Sequence, residues 1–149
     1  MLRVKGRILC ADHDDTCSRL SSVFNEFGYE VVTVRSADEA RGLALTETFV
    51  LYVVDTAFHN GSGLALCSDL RFVDRLTPVI LYSSSTGEEE QQAGIAAGAR
   101  AYVLKPNFDH LILAVLHALP RESSMNESRK AESHLSGRAA AAAGRINAK

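Results

Sequence analysis

Five short apolar runs, each followed by a stretch of helical or turn-forming sequence, constrain this chain more than any other feature. The runs are "RILCA" (7–11), "YEVVTV" (29–34), "FVLYVVD" (49–55), "TPVILYSS" (77–84) and "RAYVLK" (100–105). Each is apolar on both faces, as strands of a parallel sheet covered from two sides are. A parallel strand returns only through a crossover, and right-handed crossovers lay helices on both faces. The expected class is α/β: a doubly wound five-stranded parallel sheet with helices on both sides.

The intervening segments read as helices. Leu20, Val23, Phe24 and Phe27 recur at helical spacing, Asp15 is expected to cap that first helix, and Gly28 to stop it. Ser36 and Glu39 form a capping-box pattern that opens a second helix to about Glu47. A loop with Asn60, Gly61, Ser62 and Gly63 leads to a third, containing Leu64, Cys67 and Leu70. Thr86 and Glu89 repeat the capping box. The run Glu88–Glu90 suits the positive end of a helix and reads as a solvated helix start. Gly94 and Gly98 weaken that helix. Asn107 is expected to cap a last one with Phe108, Leu111, Ile112, Val115, Leu116 and Leu119 as its stripe. One domain is expected over residues 1–119. Residues 120–149, rich in Ser, Ala and charge, are expected to form a flexible tail with at most a transient helix around Ala139–Ala143.

Charge and composition exclude several classes. Residues 1–119 hold 10 Lys+Arg against 15 Asp+Glu, a balance of −5, and residues 120–149 hold 6 against 3, a balance of +3. An acidic body argues against nucleic acid as the main ligand. No apolar run approaches the roughly 20 residues of a membrane span, and the N-terminus lacks the apolar stretch of a signal peptide. Cys10, Cys17 and Cys67 lack metal-ligand spacing and read as buried, reduced thiols, so a cytoplasmic location is expected.

In a doubly wound sheet the ligand crevice lies at the carboxyl ends of the strands. Strand one delivers Asp12, His13 and Asp14 there, strand three Asp55, strand four Ser83 and Ser84, and strand five Lys105 followed by Pro106. Carboxylates this close repel unless a cation sits among them, and a hard ion with oxygen ligands, Mg²⁺ or Mn²⁺, suits the task. A lysine beside them suits an incoming phosphoryl group, and Asp55 is then placed to be the nucleophile. Glycine-rich phosphate loops and the G-x-S-x-G elbow of hydrolases are missing, which weighs against a nucleotide- or flavin-binding protein and a serine hydrolase.

The segments "ILCADHDD", "YVVDTAFHNGSG", "TPVILYSSS" and "GARAYVLKP", in this order, resemble the receiver domain of bacterial two-component response regulators, over about residues 6–119. The resemblance is to the single-domain, chemotaxis-regulator-like kind. It implies a flavodoxin-like strand order 2-1-3-4-5. It implies Asp55 as phosphoacceptor, Asp12 in the acidic pair that holds Mg²⁺, and Ala57 as donor of a backbone carbonyl to the metal. It further implies Ser83 as switch hydroxyl, Lys105 as partner of the phosphoryl oxygens and Tyr102 as the aromatic switch. The donor would be a histidine kinase or phosphotransfer protein. The output surface would be the face of the fourth helix, fifth strand and fifth helix, through which receivers often dimerise.

The sequence departs from the family pattern in the acidic pair, which His13 interrupts. Either Asp12 is the first acid and His13 takes the metal-contacting second place, or Ala11 replaces the first acid and Asp12 keeps the metal contact. The second register is preferred because helix packing tolerates a shift less than a loop does; Asp14 or His13 is the further candidate ligand. Phe58-His59 stands where the family has Met-Pro, which puts an aromatic beside the site. No output domain is expected, so a stand-alone receiver is the expected organisation. The expected function is a phosphorylatable signalling switch that is not an enzyme with an external product. The alternative is a pseudo-receiver, a docking module independent of phosphorylation.

Overall fold

Among residues 3–58 and 63–121, which the computed structural model describes, strands and helices alternate strictly. They are β1 (Gly6–Ala11), α1 (Asp14–Asn25), β2 (Tyr29–Thr33), α2 (Ala37–Thr46), β3 (Leu51–Asp55), α3 (Gly63–Val73), β4 (Val79–Ser83), α4 (Glu88–Ala96), β5 (Ala101–Leu104) and α5 (Phe108–Ala118). All belong to the unit Met1–Leu119. The sheet is parallel with order β2-β1-β3-β4-β5, the expected flavodoxin-like arrangement. The segment around Ala139–Ala143 lies outside the described residues.

Every residue of β3 and β4 is buried, which is why those two runs are the most continuously apolar. Alternate side chains go to opposite faces. Ile8, Cys10, Val53, Ile80 and Tyr82 meet Leu20 and Phe24 of α1 and Leu111 and Val115 of α5. Leu9, Tyr52, Val54 and Leu81 meet Ala40 of α2 and Leu66, Cys67 and Leu70 of α3. Each of the fully buried Leu and Ile side chains contributes about 1.5–3 kcal/mol, so this double layer outweighs the weak propensities of individual helices. The three cysteines are free and buried, and burial pushes the Cys67 thiol up to about 11.

Local signals met four corrections. The N-cap of α1 is His13, not Asp15, with an extended backbone and no side-chain cap bond. Asp14 and Asp15 instead occupy the first turn, where their charge suits the helix dipole. Phe27 is 47% exposed, because α1 ends at Asn25 and Phe27 sits in the turn before Gly28, whose φ of 92° few other residues would adopt. At α4 the cap is Gly87 rather than Thr86, so the helix starts without a side-chain cap. Leu116 is 39% exposed and lies outside the core that Leu111 and Val115 enter. The other caps form: Ser36 Oγ accepts from Glu39 N–H and Asn107 Oδ1 from His110 N–H. The Glu39 carboxylate accepts from Arg35 N–H, one residue before the position a capping box uses.

The end of β3 and the start of α3 come so close that only glycine fits at position 63: a Cβ there would stand 2.0 Å from the Asp55 carbonyl oxygen and 2.6 Å from Thr56 Cα. Gly42, on the exposed side of α2, has nothing within 4 Å of such an atom. Gly63→Ala should therefore lower stability by about 1–3 kcal/mol through overpacking, and Gly42→Ala should raise it by about 0.5–1 kcal/mol. Urea unfolding followed by far-UV circular dichroism measures both; equal effects of the two would contradict this geometry.

Candidate functional site

The register pairs Ala11 with Val54, Asp55 with Tyr82 and Ser83 with Leu104, so four strands end at one level. Asp12 follows β1, Asp55 closes β3, Ser83 closes β4 and Lys105 follows β5, before a cis Lys105–Pro106 bond. Lys105 Nζ lies 3.0 Å from Asp12 Oδ1 and 3.2 Å from Asp55 Oδ2. To reach them its stem crosses β4, and Nζ stands 5.2 Å from the centroid of the Tyr82 ring. Both carboxylates are buried. Asp12 Oδ1 also accepts from His13 N–H at 2.6 Å, and Asp55 Oδ1 from Ala57 N–H at 3.0 Å.

One ammonium thus serves two buried carboxylates. Burial pushes the Asp12 carboxyl above the usual range, against the hydrogen bonds from His13 N–H and Lys105. Burial likewise disfavours the Lys105 ammonium, but Asp12 and Asp55 outweigh it and hold that group above the ordinary lysine value. Asp12 Oδ2 is buried without a hydrogen-bond partner, an unmet acceptor inside a cup of net negative charge. A cation fits such a donor set.

The expected further ligands separate here. The His13 Nε2 lies 3.5 Å from Asp55 Oδ2, and ligand atoms of Asp12, His13 and Asp55 all fall within 4.8 Å of one another. Asp14 is exposed and faces Arg35 at 3.5 Å, away from this group. Ala11 is buried in the core and Ala57 is exposed in the turn after β3. Phe58 is buried in the layer of Leu66 and Leu70 and belongs to the core beneath the site; His59 and the loop at 59–62 lie outside the described residues.

A second cluster adjoins the cup. Ser83 Oγ accepts from Thr56 Oγ1 at 2.5 Å and from Ser85 N–H at 3.0 Å. Glu90 Oε1 lies 3.4 Å from both the Thr56 and Ser83 hydroxyls and accepts from Tyr102 OH at 2.9 Å. Tyr102 OH also lies 3.1 Å from the Ser85 carbonyl oxygen. Burial, with Glu90 beside it, pushes the Tyr102 phenol above its ordinary value, against the opposing effect of the Ser83 hydroxyl. Glu90 corrects the expectation of a wholly solvated acidic run: Glu88 and Glu89 are exposed, whereas Glu90 is half-buried and joins three hydroxyls. Sequence reasoning missed Glu90 and Thr56. The signal for Thr56 was its place beside Asp55 at the end of the most apolar strand.

Residues 8–116 match the family model of the response regulator receiver domain. The uncharacterized transcriptional regulatory protein YkoG of Bacillus subtilis is 29% identical over 120 residues, 80% of this chain and 53% of that protein. The chain spans about half the length of the curated relatives it matches. The receiver domain of the Francisella response regulator 1452 is 28% identical with a TM-score of 0.68, over 76% of this chain and 96% of that one. A Burkholderia pseudomallei response regulator with a phosphorylated aspartic acid, calcium ion and citrate shares the fold. Its TM-score is 0.66 at 24% identity, over 85% of this chain and 73% of that one. Among the described residues no helix is long and apolar enough to cross a membrane.

Among the described residues, Lys105 is the basic side chain that pairs with both Asp12 and Asp55. Lys105→Met should lower the stability of the metal-free protein by about 3 kcal/mol at neutral pH, since it leaves buried charge unpaired. Without the ammonium, which holds the Asp12 carboxyl down against its burial, that group's pKa rises further in the folded state, so folding takes up protons and the deficit shrinks as pH falls. Urea titrations at about pH 7 and about pH 4.5 check this; a deficit that grows on acidification would overturn it.

Proposed function

This chain belongs to the response regulator receiver domain family, and we propose that it is a phosphorylatable switch in which Asp55 takes a phosphoryl group from a histidine kinase or phosphotransfer protein. Receiver domains are regulators, and phosphorylation by a kinase is typical of the family. The observation that carries the reading for this chain is the Lys105 ammonium held between Asp12 and Asp55 at the mouth of the sheet.

The chemistry follows from the residues. An Asp55 carboxylate oxygen attacks phosphorus as the P–N bond of the donor phosphohistidine breaks, and the leaving imidazole takes up a proton. Asp55 Oδ1 is held by Ala57 N–H, which leaves Oδ2 to face Lys105 and the site mouth. Lys105 then pairs with the phosphoryl oxygens that Asp55 brings beside it. Receiver domains bind a divalent metal at the acidic pocket. Asp12, Asp55 and the Ala57 carbonyl would hold Mg²⁺, with Mn²⁺ as the other candidate, and the ion would neutralise charge on the transferring group. The orphaned Asp12 Oδ2 supports the fit.

Ser83 supplies the switch. Its hydroxyl is held by Thr56 and Glu90, and a phosphoryl group on Asp55 offers it a stronger acceptor. Moving Ser83 alters what Glu90 and Tyr102 hold, and Tyr102 lies on β5, between α4 and α5 in sequence. The output would then lie on the α4–β5–α5 face, toward a downstream protein.

Incubation with acetyl phosphate and Mg²⁺ should add one phosphate, read by intact mass, and Asp55→Asn should take none. Lys105→Ala should slow the addition by on the order of 100-fold. Ser83→Ala should be phosphorylated without the amide shifts at Tyr102 that the parent protein shows. Failure of the parent to gain phosphate, or equal gain by Asp55→Asn, would refute the switch and favour a docking module independent of phosphorylation.

A further inference from the structure

We propose that His13 makes the acidic cup a mixed nitrogen–oxygen site that takes a late first-row transition-metal ion, Co²⁺, Ni²⁺ or Zn²⁺, through the His13 imidazole together with Asp12 and Asp55. This rests on the assignment of Asp12 and Asp55 as the divalent-cation site and adds a third ligand of different chemistry.

Three observations carry it. His13 Nε2 lies 3.5 Å from Asp55 Oδ2, and one ligand atom each from Asp12, His13 and Asp55 falls within a 4.8 Å span. Ligands about 2.0–2.2 Å from one ion stand roughly 3–3.6 Å apart, so modest side-chain rotation closes the set. Second, Asp12 Oδ2 is fully buried without a partner, while Oδ1 is already occupied by Lys105 and His13 N–H. A cation can therefore be taken on Asp12 Oδ2 without displacing the lysine from Asp12 Oδ1. Third, the His13 backbone is pinned from both sides. Its N–H donates to Asp12 Oδ1, and its carbonyl accepts the first helical bond from Cys17 N–H at 3.1 Å. The ring, 77% exposed, can still rotate about its own bonds over the site mouth.

Ligand chemistry decides the ion. Mg²⁺ demands oxygen ligands and keeps its waters, so an imidazole adds little for it. Co²⁺, Ni²⁺ and Zn²⁺ bind imidazole well. Later first-row ions bind most nitrogen–oxygen sites more tightly than Mg²⁺ anyway, so the property that distinguishes this site is the part of the preference that depends on His13. Loading of the switch would then respond to transition-metal supply as well as to Mg²⁺.

The test titrates the full chain with Mg²⁺, Co²⁺, Ni²⁺ and Zn²⁺ separately, by calorimetry, and follows the visible absorption of bound Co²⁺. His13→Ala removes no side-chain cap bond from α1, so folding is expected to survive. It should weaken Co²⁺, Ni²⁺ and Zn²⁺ binding by about tenfold or more and change the Co²⁺ spectrum, with Mg²⁺ affinity within about twofold of the parent. Asp12→Asn should weaken all four ions. His110→Ala, an exposed histidine on α5, should change none. The proposal is overturned if His13→Ala leaves the three ions within about twofold, if it weakens Mg²⁺ equally, or if transition-metal binding survives Asp12→Asn. These titrations do not depend on phosphorylation. A parent that accepts phosphate with Mg²⁺ yet shows no His13 effect refutes this inference alone; one that binds no divalent ion refutes the cation-site reading as well.

Discussion

The Lys105 ammonium between two buried carboxylates is the interaction around which the site is organised. Its partners come from β1 and β3, whereas Lys105 follows β5 at the edge of the sheet. The bridge forms only because β4 lies between with Tyr82 beneath the lysine stem and because the register ends the strands together. As a source of stability it is poor: burying three charges with one left over costs more than most ion pairs return. Its use is in the imbalance. The cup stays negative and keeps an open acceptor at Asp12 Oδ2, while the lysine stays charged. A site with these properties is prepared for a cation and then for an anion, the sequence of charges that a phosphoryl transfer brings.

The hydroxyl cluster ties that charge to a distant surface. Thr56 follows Asp55, so its side chain leaves the cup and meets Ser83 on the neighbouring strand. Glu90 Oε1 gathers Thr56, Ser83 and Tyr102, three groups from β3's end, β4 and β5. No two of these hydroxyls can change partner without disturbing the third. A carboxylate in that place gives Ser83 and Tyr102 a shared acceptor, which the proposed switch would need while Asp55 carries no phosphoryl group.

Much of the architecture was legible because burial on both faces leaves a mark in sequence. The five runs could be read as strands, and the rule that ligands gather at strand carboxyl ends then picked out Asp12, Asp55, Ser83 and Lys105, which the structure brings to one edge. Elements whose character depends on helical phase were harder. Capping by Gly87 instead of Thr86 moves the third helical position from Glu89 to Glu90. In a capping box that residue turns back on its own helix end; here it reaches across to the hydroxyls. Three consecutive glutamates cannot reveal which one does so. Phe27 and Leu116 failed because an apolar period does not show where it stops counting: Phe27 lies past the end of α1, and Leu116 continues the α5 stripe beyond the core-facing side. Asp14 and His13 were not separable either, since one residue of helix start decides which points at Asp55.

That last point explains why position 13 has chemical weight. The N-cap of a helix needs an extended backbone, and His13 has φ −65° and ψ 153°. Its N–H is fixed on Asp12 and its carbonyl in the first helical turn, so the Cα–Cβ bond is set by the fold whatever the side chain. With the backbone held this way, the His13 ring reaches Asp55 while Asp14, one residue on, faces Arg35. The fold supplies the aim and the sequence supplies the ligand. An acid there would deepen an all-oxygen cup, an apolar residue would close it, and imidazole offers a nitrogen that oxygen-seeking and nitrogen-seeking ions value differently. In the proposed site a single side chain would therefore retune which cation is admitted while the buried Asp12, Asp55 and Lys105 stay where the strands put them.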